Sequence, residues 1–418
     1  MSTRLGVVPV LVIYLGASGC GSGSTAQPVI PVSSSLADSA AALAARLGVV
    51  HLDVATTAIP STSSASLTLT PRTDGPVQLD SPVAVRVDRG QLVDVQLTGP
   101  NGAIDGQLSA TEWTAPAGAL DFGSAYSITA TAVDARGVTT HATSSFQTVA
   151  PTRFLTASVT PASGTPVGVG LPITVTFNRP VADRAAVEHA LRITTPRPIE
   201  GAWSWQGSQM VQFRPRTYWP GSITATVHLD LRGVSAGKGL FGRDNTEHAV
   251  TFRPAMVTRV NAAEHYATVY RNGSVARVIP ITTGKAGWET RSGVKLILSK
   301  ERQRIMDAST GGTSHSDPEY YRLLVQYAMR VTYSGEFLHA APWSVRSQGR
   351  ANVSHGCIGM STANAQWLYD QSDVGDVVEV VGTSRTQDAG NGMTLWNTPW
   401  QQWLAGSTTG SVWTQAAT

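Results

Sequence analysis

Cysteine is almost missing from this chain. Cys20 and Cys357 are the two thiols in 418 residues, too few for a disulfide-stapled scaffold. Charge is sparse as well, with 14% Asp, Glu, Lys and Arg and a formal net charge of +3. No Lys/Arg stripe marks a nucleic-acid binder, so no nucleic-acid partner is expected. The apolar run that opens the chain, LGVVPVLVIYLG from Leu5 to Gly16, has 12 residues. A helix crossing a bilayer of ~30 Å needs ~20. What is present is 42% hydrophobic residues, 40 Gly and 23 Pro. With abundant Thr, Ser and Val, that composition points to β-rich domains rather than helical bundles, and the length to two to four of them.

The N-terminus reads as an export signal over residues 1–20. Arg4 supplies the positive end, the apolar run follows, and Ala17-Ser18-Gly19 leads into Cys20. This resembles the lipobox of bacterial lipoproteins, with Ala17 where Leu is more usual. The resemblance implies diacylation of Cys20 and a lipid anchor at the outer face of the cytoplasmic membrane. A plain secretory signal with an incidental cysteine is the alternative. Residues 21–64 are Ser/Ala/Pro-rich and read as a tether. An acylated Cys20 would leave Cys357 without an intrachain partner, so an unpaired exported thiol needs a reason.

From residue 65 short alternating runs are divided by turn residues. SLTLTP, VAVRVDRG, LVDVQLTGPNG, YSITATAVDARG and ATSSFQTV read as half-exposed strands of one Ig-like β-sandwich over 65–150. A second set, including PITVTFNRPV, GAWSWQG, MVQFRP and ITATVHLDL, predicts another over 151–254, interrupted by a helical insert at DRAAVEHALR. Trp203 and Trp205 alternate with small residues and are expected in its core. A third unit, 255–383, carries an Asn272-Gly273 hairpin turn, further strands, a helix at ANAQWLYDQS capped by Ser361 or Asn364, and a closing strand at GDVVEVVG. The tail, 384–418, holds the Trp-rich LWNTPWQQWLAG, expected to pack back onto the third unit.

Thiol catalysis requires a thiolate, a base to form it, and donors for a developing oxyanion. Cys357 lies in SHGCIGMS. His355 is two residues away in an irregular loop and is the poorer direct partner. His339 ends a predicted strand, a rigid place from which to aim an imidazole. Gly356 permits unusual backbone angles, so that amides can converge on a carbonyl oxygen. A small buried hydrophobe remains an alternative for Cys357, as does a zinc site built from His339, His355 and Cys357, although tight paired spacing is lacking.

His339, a spacer of 14 residues and Ser354-His355-Gly356-Cys357 resemble the signature of L,D-transpeptidases. GKAGWETRSGVKLIL, RIMDAST, EYYRLLVQYAMRVTYSGEFLHAAPWSV and GDVVEVV extend the resemblance to the actinobacterial members, which carry two Ig-like domains before the catalytic domain and a Trp-rich tail after it. The resemblance implies a mainly β fold of two Ig-like sandwiches, a β-rich catalytic domain with a short helix, and a Trp-rich C-terminal subdomain. It implies that Cys357 is the acyl-accepting nucleophile and His339 the base of a thiolate–imidazolium pair. The Ala340 carbonyl would fix the His339 tautomer, and amides around Ser354, His355, Gly356 and Cys357 would form the oxyanion hole. Met306, Tyr321, Ser334, Gly335 and Trp343 match substrate-cleft positions. Two positions depart from the pattern: Gly359, where the family has Asn or Arg, and Gly311, where it often has a lid tyrosine.

The implied reaction is acyl transfer between peptidoglycan stems. Cys357 attacks the L,D bond before the terminal D-alanine of a tetrapeptide donor, and an acceptor side-chain amine then opens the thioester to give a 3→3 crosslink. No metal or organic cofactor is required, and carbapenems are expected to acylate the same thiol. An L,D-carboxypeptidase, with water as acceptor, and a catalytically weak wall-binding scaffold are the alternatives.

Overall fold

The computed structural model describes residues 62–72 and 75–417; Cys20, the export signal and most of the tether fall outside them. The first β-sandwich pairs two four-stranded sheets, built from strands between Ser66 and Gln147. Alternation along Ala125–Val133 turns Tyr126, Ile128, Ala130 and Ala132 inward against Val85, Leu97 and Trp113. The second sandwich is built from strands between Arg153 and Thr251, with a short helix at Arg184–His189 capped by the Asp183 side chain. Trp203 and Trp205 are buried in its core.

Nine strands between Met256 and Val381 form the third unit's sheet, in spatial order Gly293–Leu296, Val377–Val381, Met256–Asn261, Tyr266–Arg271, Ser274–Thr282, Ile358–Met360, Phe337–Ala340, Arg322–Arg330 and Ser299–Asp307. Asn272 and Gly273 take positive φ at the predicted hairpin, 48° and 82°, as its two-residue turn demands. The helix Thr362–Gln371 is capped by Ser361, whose hydroxyl accepts from the Asn364 amide at 3.3 Å.

The units are welded rather than strung. Gly168 and Gly170 of the second sandwich donate their amides to the Val374 and Gly375 carbonyls at 2.8 and 2.9 Å. Leu296 and Val377 of the large sheet belong to the second sandwich's apolar core.

The tail corrects the expectation drawn from sequence. Its polar residues do hold the third unit, as where the Asn397 amide pairs with both backbone groups of Val294 at 2.7 and 2.8 Å. Its tryptophans, however, bury against the second sandwich. The guanidinium of Arg214, itself 3% exposed, lies 4.9, 5.4 and 4.8 Å from the ring centroids of Trp396, Trp400 and Trp403. Strands Val412–Trp413 and Gln415–Ala416 then cover an edge of each main sheet. Open edges of the second sandwich's sheets and its buried cation Arg214 are the partners these strands and rings take up.

Candidate active site

The site follows from strand register. Phe337–Ala340 and Ile358–Met360 run parallel, with Leu338 opposite Ile358 and His339 opposite Gly359. Side chains alternate along each strand, so Leu338 and Ile358 enter the core on one face. His339, Gly359 and, two residues earlier, Cys357 share the other. A cleft of about 180 Å³ opens there, lined by Met306, Tyr321, His339, Trp343, Ser354, His355, Cys357 and Gly359, among others.

The His339 Nδ1 donates to the Ala340 carbonyl at 2.8 Å. A carbonyl can only accept, so Nδ1 carries the proton and Nε2 keeps its lone pair. Cys357 is half-buried and its Sγ is 3.8 Å from the Gly335 carbonyl, which accepts from the thiol. Burial pushes this thiol up to about 11; the Phe337 N–H facing the sulfur opposes that, the Glu336 charge adds to it and Lys295 opposes it again. Burial also pushes His339 down, against the support of the Ala340 carbonyl. Both shifts favour the neutral thiol and imidazole over the ion pair the resemblance implies.

The loop before Cys357 is braced by Ser354 and Thr290. The Ser354 hydroxyl donates to the Cys357 carbonyl at 2.6 Å and accepts from the Gly356 amide at 3.1 Å. The Thr290 hydroxyl donates to the Gly356 carbonyl at 2.7 Å. Gly356 holds φ at 120°, a conformation that L side chains rarely adopt. Its amide is committed to the Ser354 hydroxyl, itself part of the cleft lining.

His355 points away from the sulfur. Its Nε2 is 2.5 Å from Glu319, and its ring packs at 5.0 Å from Trp288 and 4.9 Å from Tyr321. Lys285 reaches both oxygens of Glu319 at 2.8 and 2.7 Å, and with His355 holds that carboxyl below the usual range. Among the described residues no three His, Cys, Asp or Glu side chains converge as metal ligands would. Burial pushes Tyr321 up to about 12, keeping a neutral phenol at the cleft.

Trp343 is 59% exposed as a wall, its ring 6.0 Å from that of His339. Ser334 is not among the cleft-lining residues: its amide and hydroxyl are both bonded to Asn391 of the tail, at 2.9 and 2.8 Å. Gly311 closes the 3-10 turn Ala308–Gly311. A Cβ on Gly359 would lie 2.9 Å from Ala341 Cβ and 3.0 Å from Thr282 Cγ2, so its neighbours crowd this part of the cleft lining and leave no room for a side chain without a shift. Sequence reading missed Glu319, Lys285 and Thr290, which are remote in the chain and carry no motif. It also missed Glu336 and Lys295. A lysine inside the apolar strand Gly293–Leu296 was the available signal.

Residues 74–235 match the family described as a bacterial Ig domain, and residues 256–380 match the L,D-transpeptidase catalytic domain. L,D-transpeptidase 2 of Mycobacterium tuberculosis is 38% identical over 341 residues, covering 80% of this chain and 83% of that protein. L,D-transpeptidase 1 of the same species is 43% identical over 228 residues, 54% of this chain and 84% of that protein. Among solved structures, LdtMt1 in complex with imipenem is 41% identical with a TM-score of 0.46, covering 55% of this chain and 100% of that one. Register, tautomer and the span of the first of these matches converge: this chain belongs to the L,D-transpeptidase family, and it is an acyltransferase of that kind.

Proposed function

We propose that Cys357 is the nucleophile and His339 the base of a peptidoglycan L,D-transpeptidase that joins stem peptides 3→3. The observation that carries this reading is the strand register that sets Cys357 beside His339 on one face, with the Ala340 carbonyl holding the imidazole lone pair at Nε2. Because burial favours the neutral thiol and imidazole, the proton moves as the sulfur attacks. Sγ bonds to the carbonyl carbon of the donor's L,D peptide bond, and its proton passes to His339. His339 returns that proton to the departing D-alanine amine, leaving a thioester. The acceptor amine then attacks the thioester, its proton goes to His339, and the sulfur leaves to recover it. The amides of His355 and Cys357 are the donors for the oxyanion, with Gly356 joining if its bond to Ser354 opens. The cleft residues Met306, Tyr321 and Trp343 flank the donor stem, with Gly359 in the lining beside the thiol. The same thiol would open the β-lactam of a carbapenem, and an anchor at Cys20 would hold the enzyme at the outer face of the membrane.

The test is to incubate the purified protein with a disaccharide-tetrapeptide and weigh the products. A crosslinked dimer, absent with Cys357→Ala, is expected. A tripeptide alone identifies a carboxypeptidase, and no turnover together with no carbapenem adduct on Cys357 sinks the enzymatic assignment of this site. Loss of acyl labelling in Cys20→Ser checks the anchor.

A further inference from the structure

Under the nucleophile lies a cluster of charges that the acyl-transfer scheme does not use. Lys295 is 1% exposed, between the buried Leu296 and the half-buried Val294, and its ammonium pairs with Glu336, which is 5% exposed. The other Glu336 oxygen accepts from the Arg291 amide and guanidinium, both at 3.0 Å. Arg291 reaches out to the exposed Asp388 at 2.7 Å. Stability alone does not account for a buried ion pair, because apolar replacements of such pairs are often neutral or stabilising. Its position does account for it.

Glu336 stands between the two peptide groups that hold the sulfur: the Gly335 carbonyl accepts from the thiol, and the Phe337 N–H faces it. On its far side a Cβ built on Gly356, the residue before the nucleophile, would lie 3.7 Å from Glu336 Cγ. The carboxylate is thus wedged beneath the nucleophile's loop, and Lys295 and Arg291 fix it there. The other ionisable groups around the sulfur come from separate elements: His339 from its strand, Tyr321 across the cleft, and His355, which is committed to Glu319.

We propose that Lys295 is a positioning residue of the acyl transfer: through Glu336 it fixes the Gly335–Phe337 cradle, and its charge balances the thiolate as the proton leaves Cys357. Glu336 supplies the opposing charge, so on top of burial and the Phe337 N–H the pair adds two opposing influences on the sulfur's ionisation. Lys295 favours the thiolate and Glu336 disfavours it, and Lys295 in turn feels the sulfur's charge. The inference rests on Cys357 being the nucleophile, as proposed above.

The experiment reads the thiol itself. Iodoacetamide alkylation of Cys357 in the full chain is followed by peptide mass spectrometry from about pH 7 to 12.5, so that the range brackets the raised thiol midpoint, with circular dichroism confirming the fold of each variant. Lys295→Met should move the alkylation midpoint up by about one unit and slow alkylation near neutrality about tenfold. Glu336→Gln should move it down, and Lys295→Arg, which keeps the charge, should restore the wild-type profile. Lys295→Gln replaces Lys295→Met if the latter does not fold. Coincident midpoints for wild type and a folded charge-removing Lys295 variant overturn the inference. The nucleophile assignment is judged separately, by whether crosslinking by the wild type disappears in Cys357→Ala.

Discussion

Replacing Arg214 by methionine tests what holds the tail to the second sandwich. Methionine keeps the apolar stem and removes the cation and its bond to the Thr398 carbonyl, 2.9 Å away. Three ring faces at 4.8 to 5.4 Å contribute about 1–2 kcal/mol each at a desolvated site, and a charge-assisted bond about 1.5–3. Against this stands the desolvation of the guanidinium, which burial pushes down to about 10 from 12.5, about 3 kcal/mol. The guanidinium Nε adds to the opposing side, being buried without a partner. The attraction wins, and a net loss of about 2–3 kcal/mol is expected for Arg214→Met, more for Arg214→Ala, which adds a cavity. Urea unfolding followed by tryptophan fluorescence measures the loss, and limited proteolysis between residues 398 and 410 reports whether the tail detaches. An Arg214→Met protein within about 0.5 kcal/mol of wild type, with its tail still resistant, would refute the cation–ring account.

Three further outcomes follow from the same reasoning. Burial raises the Asp376 carboxyl to about 7, and its Oδ1 has no partner; the folded value lies above the unfolded one, so stability is full below the unfolded value and falls as pH rises toward about 7, by up to about 4 kcal/mol. Asp376→Asn should flatten that fall in melts from acid to alkaline pH, and an unchanged slope would reject the assignment. Because burial lowers His339 and raises Cys357, kcat/KM should lose activity only below the ordinary imidazole value of 6.5 on the acid side; an acid limb above 6.5 would contradict it. Gly359→Ala should cost about 1–3 kcal/mol through overpacking against Ala341 and Thr282, and Ala341→Gly should recover most of the loss in a double-mutant cycle.

Much of the catalytic centre was legible in the chain because motif and spacing coincide with strand geometry. His339 lies in one strand and Cys357 directly precedes its parallel neighbour, so the 14 residues between His339 and Ser354 need only return the chain to the same end of the sheet. The Ala340 carbonyl was legible too, since its role needs only backbone. The two sandwiches were visible through alternation and turn residues, which report one strand at a time. Ser334 was misplaced because its partner, Asn391, is 57 residues away. The burial that disfavours both charged forms was not legible, because a motif names the acid and the base but not the desolvation around them.

Composition and pattern by themselves determined the β-rich class and the order of units, and singled out Cys357 and His339. These depend on local alternation and on residues that a short stretch of backbone brings together. Tertiary structure alone decided that the tryptophans of the tail clasp Arg214 of the second sandwich, that His355 serves Glu319, and that Lys295 and Glu336 meet beneath Cys357. Each joins residues distant in sequence, and its energy depends on how much water the fold excludes from the contact.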